Sequence, residues 1–297
     1  MKYRKPISLL VGFIVLLSIV ATTYGIFSNQ GKGESEYKSI FGETISIYGK
    51  GLYQHDSVTI ASQAIAQDYV TLFLAIPLLL ISLYAARKGL FKGRLLLTGT
   101  LGYFLYTYAS YTFLSMYNSF FLIDVFLMSA SFFAFTLAMM SFDIPKLPSY
   151  FDKKLPNRFI GSFLLFVSIV FSIMWIGKVV PPLMKGTPPD GIEHYTTMVI
   201  QAMDLGFLVP VGILAGILLM KRNPFGYLLA SVMITKDITM LTALSAMVVL
   251  QMVAGIKSLL AMLAVVLLFN LIVIYCMYLI MKNIKEPVAK GITNISA

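Results

Sequence analysis

The sequence predicts an all-α fold, a polytopic bundle of about eight transmembrane helices with both termini in the cytoplasm. Three observations predict it. Of 297 residues, 58% are hydrophobic and only 12% are charged, whereas soluble domains are about half apolar and a quarter charged. Eight apolar runs each reach the roughly 20 residues that a helix needs to cross a hydrocarbon core about 30 Å thick. Lysine and arginine, finally, gather on alternate connecting segments.

The runs cover about 7–28, 66–87, 95–116, 119–141, 159–180, 196–220, 225–250 and 258–281. None alternates as a barrel strand would, and a backbone in lipid must bond within its own segment, so each run is read as a helix. With the N-terminus inside, sixteen lysines and arginines fall on cytoplasmic segments and six on external ones. The first run has a basic start that also suits a signal peptide. Its length and the poor cleavage site at Ala21-Thr22-Thr23 favour an uncleaved helix.

Two external segments are long enough to have structure. In 29–65, the stretch Glu43 to Gly49 alternates as a strand or hairpin does, and Asp56 or Ser57 can cap a helix leading into the second span. In 181–195, Asp190 and Glu193 read as a capping box that starts the sixth helix near Gly191, above the membrane. Pro210 is expected to kink that helix. Residues 1–285 form one transmembrane domain and 286–297 a flexible cytoplasmic tail. No internal repeat and no inverted symmetry between the halves is evident.

Composition also excludes. The net charge of +10 lies in short clusters between apolar runs, which orients helices and does not build a nucleic-acid-binding face. Cys276 has no partner for a disulfide. Two histidines, His55 and His194, give weak grounds for a metal centre, even with His55-Asp56 and Glu193-His194 taken together as one external ligand set. No cofactor is indicated.

Function is sought in the charges inside the runs: Asp124, Asp204, Lys236 and Asp237. Each costs roughly 2.5–3.5 kcal/mol at a helix centre, so each invites a functional reading. His194, Thr197, Gln201 and Asp204 are spaced as one helical face descending from outside, the wall of an outward-facing pocket. Lys236 lies near the midplane. Asp237 points about 100° away from it, so Asp204, then Asp124, is the expected partner. Tyr103, with Thr100, Thr107 and Ser110, lines one face of the third helix, where buried tyrosines need hydrogen-bond partners.

These readings support a small-solute or ion permease of the cell membrane, with a polar pocket facing outward and proton coupling. Its partners would be the bilayer and a small molecule or ion. Two alternatives stand beside it. One is a membrane-embedded enzyme using His194, Glu193 and Asp204 as acid–base groups. The other is a non-catalytic subunit, sensor or assembly factor.

Overall fold

The computed structural model describes residues 2–256 and 259–286. Seven of its helices are long and apolar enough to cross a membrane: α1 Arg4–Phe27, α2 Val58–Arg87, α4 Phe121–Met140, α5 Asn157–Lys185, α6 Val199–Met220, α7 Pro224–Val253 and α8 Leu260–Lys282. An eighth, α3 Phe91–Leu114, is as long as α1 but carries Lys92, Arg94 and many hydroxyl side chains. The chain is therefore a multi-pass membrane protein built as a helical bundle.

The connections after α2, α3, α6 and α7 are short, and those after α1, α4 and α5 are longer. At one end lies an antiparallel hairpin, β1 Ser35–Lys38 with β2 Thr44–Ile47, in which Tyr37 faces Ile45. Ser57 then caps α2 by accepting from the Ile60 N–H at 3.2 Å, as the sequence suggested. At the other end, the chain after α8 folds back. Glu286 accepts from the Phe91 and Lys92 N–H groups at the start of α3, and the Lys285 N–H donates to the Tyr150 carbonyl at 2.7 Å. Glu286, the first residue of the expected flexible tail, is thus bound, and the rest of that tail, 287–297, lies outside the described residues.

One boundary differs from expectation. α5 runs through Pro181 and Pro182 to Lys185, and α6 starts at Val199, not near Gly191. The prolines fall in the last turns, where the two carbonyls they leave unbonded lie close to the helix end. Gly186, at φ 65°, then closes α5 in a left-handed cap. Between the two helices, Gly191 (φ 72°) and Glu193 (φ 54°) take left-handed turns, a conformation that a helix running on from Gly191 could not contain.

An internal repeat is present, contrary to the sequence reading. α2 is interrupted by a π-helical turn, Thr71–Ala75, with Pro77 just beyond it. α6 has the same turn at Asp204–Leu208, followed by Pro210. After a short turn, α3 carries Gly93 against the backbone of the end of α2, and α7 carries Gly226 against the end of α6. A constant offset of 133 residues relates Thr71 to Asp204, Pro77 to Pro210 and Gly93 to Gly226. α2–α3 and α6–α7 thus follow one plan, each pair with one long helix before it and one after it.

The units meet where α7 packs against both α3 and α2. Gly99 permits this approach: a Cβ there would strike the Thr235 side chain. Most hydroxyls of α7 satisfy themselves on their own helix, as when Thr235 donates to the Ser231 carbonyl and Thr239 to that of Lys236. They serve packing.

Candidate functional site

Each repeat holds a buried carboxylate beside its π-helical turn, gripped by two aromatic donors. In a π-turn, N–H groups bond five residues back, as Val209 does to the Asp204 carbonyl and Ile76 to that of Thr71. Such turns recur where a helix is bent for function.

In the second repeat, Asp204 is 3% exposed. It accepts from Tyr106 Oη at 2.7 Å and from Trp175 Nε1 at 2.9 Å. Lys236 does not reach it. The ammonium bonds Asp237 Oδ1 at 3.2 Å and sits 4.9 Å from the centroid of the Tyr106 ring. This corrects the expected Lys236–Asp204 pair. Both oxygens of Asp204 are already engaged, and the flexible lysine stem spans the angle to its neighbour. Asp204 stays within electrostatic range of Asp237. The centre therefore holds two carboxylates and one ammonium, with an aromatic ring between Asp204 and Lys236.

In the first repeat the carboxylate is Asp68, 1% exposed. It accepts from Tyr53 Oη at 2.7 Å and from Tyr111 Oη at 3.1 Å. Gln67 donates to Thr107 at 2.6 Å and Thr71 pairs with Tyr103 at 2.8 Å. Gly25 of α1 makes the room, since a Cβ there would collide with Asp68 Oδ2. Asp124, in the first turn of α4, lies within electrostatic range of Asp68. No described cation is paired with either.

Asp68 was not among the sequence candidates. It stands third in its apolar run, where it reads as an edge residue, but α2 begins at Val58 and makes it the eleventh residue of the helix. The Ser57 cap, taken seriously, would have placed it inside. Trp175 was missed as well, although an indole N–H within an apolar run needs an acceptor.

The other candidates separate. Tyr103 belongs with Asp68, and the offset of the repeat sets it at the position of Lys236. Gln201 is half-buried and makes no side-chain hydrogen bond among the described residues. His194 lies before α6 begins, so the polar stripe that was to line a pocket is not one helical face. Its Nε2 meets the His55 carbonyl at 3.0 Å. No hydrogen bond joins His194 or Glu193 to Asp204, so the acid–base set of the enzyme reading is not assembled.

His194 instead takes part in a clasp at the hairpin end. Asp56 is buried there and accepts from Tyr195 Oη and the Met116 N–H, each at 3.0 Å. Tyr195 Oη in turn accepts from the Ser57 N–H at 3.2 Å. One carboxylate thus ties the segment before α2, the α3–α4 loop and the α5–α6 loop. Asp56 Oδ2 and Glu193 Oε2 have no partner among the described residues. Burial, then the nearby Glu193 charge, pushes the Asp56 carboxyl up to about 6, against the two hydrogen bonds that lower it. Burial raises the Tyr195 hydroxyl as well.

These features define a multi-pass membrane protein with two polar centres in a duplicated bundle. No family model matches the chain, and none of the curated proteins or solved structures matches it either.

Proposed function

We propose that the chain is an eight-span, proton-linked permease for a small ion or solute, with the hairpin end outside the cell. Its binding centre is Asp204, Lys236 and Asp237, framed by Tyr106 and Trp175. The observation that carries this reading is the bond from Tyr106 to Asp204. It crosses the junction of the repeats, with α3 supplying the donor and α6 the acceptor. In proteins built from repeats, the junction is where rocking of one unit against the other opens and closes a site.

The chemistry favours a cation or a proton. Two carboxylates against one ammonium leave an excess negative charge, which a low-dielectric bundle neutralises by binding a positive species. The π-helical turn and Pro210 fall in α6 at this level, where an altered bonding pattern and a missing N–H offer backbone carbonyls to such a guest. Asp68 and Asp124 form the counterpart in the first repeat, on the same outer side. Count and orientation follow from α3 as the eighth span and from the lysine and arginine bias.

Proteoliposomes with an entrapped pH dye test this. A potassium diffusion potential should drive proton entry through the native protein, and Asp204→Asn and Lys236→Met should each reduce it by about tenfold or more while still eluting as folded protein. Equal flux in all three would refute the assignment. Failure of both variants to accumulate would point to a buried ion cluster that only fixes helix registry.

A further inference from the structure

Arg4, Arg87 and Lys88 converge on one groove at the end of the bundle that holds the termini. The groove has a volume of about 370 Å³ and is lined by Arg4 from the first turn of α1 and by Leu80, Leu83, Tyr84, Arg87 and Lys88 from the end of α2 and just beyond. None of the three cations is ion-paired among the described residues. Lys88 Nζ sits 4.6 Å from the centroid of the Tyr84 ring. Along the same side of α2, Leu80, Ile81 and Tyr84 are exposed.

We infer that this groove binds the headgroup of an anionic glycerophospholipid. Its phosphate lies among Arg4, Arg87 and Lys88, and its acyl chains run down the exposed apolar side of α2 at Leu80 and Ile81. Two features select a lipid over a soluble anion. The three charges are gathered from two helices onto one cavity, where guanidinium and ammonium groups complement a phosphate diester. The cavity wall then continues as apolar side chains at the level where acyl chains begin, a surface for which a free anion has no use. Lysines and arginines that only orient helices have no need to converge.

The groove is remote from the carboxylate centres, so this inference stands apart from the transport reading. Native mass spectrometry of the full-length protein in mild detergent tests it, with dioleoyl phosphatidylglycerol or dioleoyl phosphatidylcholine titrated in. The anionic lipid should bind at least about tenfold more tightly. The double variant Arg87→Gln, Lys88→Gln should lose that preference. Leu83→Trp, which fills the groove without changing its charge, should lose it too, and gel filtration confirms that both variants are folded. Equal binding of the two lipids would overturn the inference, as would full preference in Leu83→Trp. So would displacement of the lipid by an equal concentration of glycerol phosphate, which would assign the groove to a soluble phosphate.

Discussion

Tyr106 serves two charged groups at once: its hydroxyl donates to Asp204 at 2.7 Å while its ring lies 4.9 Å from the Lys236 ammonium. The two functions are separable by substitution. Tyr106→Phe keeps the ring and its attraction for the cation but leaves Asp204 with Trp175 alone. Loss of a hydrogen bond to a charged group is worth about 1.5–3 kcal/mol. The expected result is a lower melting temperature in detergent together with reduced proton flux. Tyr106→Leu, which also removes the ring, should be lower still in both.

Gly25 bears on the first centre in the same way. Tyr53 and Tyr111 hold Asp68 from two sides, so its carboxylate cannot retreat from an added methyl group. Overpacking of this kind costs about 1–3 kcal/mol. Gly25→Ala should therefore destabilise the protein by that order in thermal unfolding. In the Asp68→Ala background, where the obstructing carboxylate is gone, the same change should have little effect.

The sequence made the helices legible and concealed the relation between them. Eight runs of apolar residues mark eight helices, because a chain in oil has few other ways to satisfy its backbone. The repeat escaped notice because it is carried by Pro77 and Pro210, Gly93 and Gly226, and two π-helical turns, not by composition. A β-hairpin inserted between α1 and α2 also shifts the spacing. The candidate charges were visible one by one, but their partners were not. Pairing depends on which face of α3 turns toward which repeat. Tyr106 and Tyr111, five residues apart, serve different centres for that reason.

At the hairpin end, Asp56 should make the clasp sensitive to pH. Folding raises its carboxyl from an ordinary 3.8 to about 6, so the folded state holds that proton more tightly than the unfolded chain. The stability it contributes is complete below pH about 4 and is lost as pH rises through about 6, a change on the order of 3 kcal/mol. Hydrogen exchange at the Met116 amide, which donates to Asp56, should quicken over this range. Asp56→Asn keeps an acceptor for Met116 and Tyr195 and replaces the unpartnered oxygen with an amide. It should abolish the pH dependence and slow exchange at neutral pH.

At the opposite end, Glu286 supplies a carboxylate to the first two N–H groups of α3, where the helix dipole favours negative charge. Glu286→Ala removes both acceptors and should lower stability by about 0.5–2 kcal/mol, as loss of a helix cap does. Glu286→Gln, which keeps one acceptor oxygen, should fall between. Thermal unfolding of the three proteins in one detergent checks the order.

Trp175 offers the most direct test of the central claim that Asp204 binds a proton or cation at the junction of the repeats. It is the sole tryptophan, and its indole donates to Asp204 Oδ2 at 2.9 Å, so its fluorescence responds to the charge on that carboxylate. Adding small cations to the purified protein at fixed pH should give a saturable shift in emission that Asp204→Asn removes and that Asp56→Asn leaves intact. An emission spectrum unmoved by any of the cations, or a shift that persists in Asp204→Asn, would contradict the account.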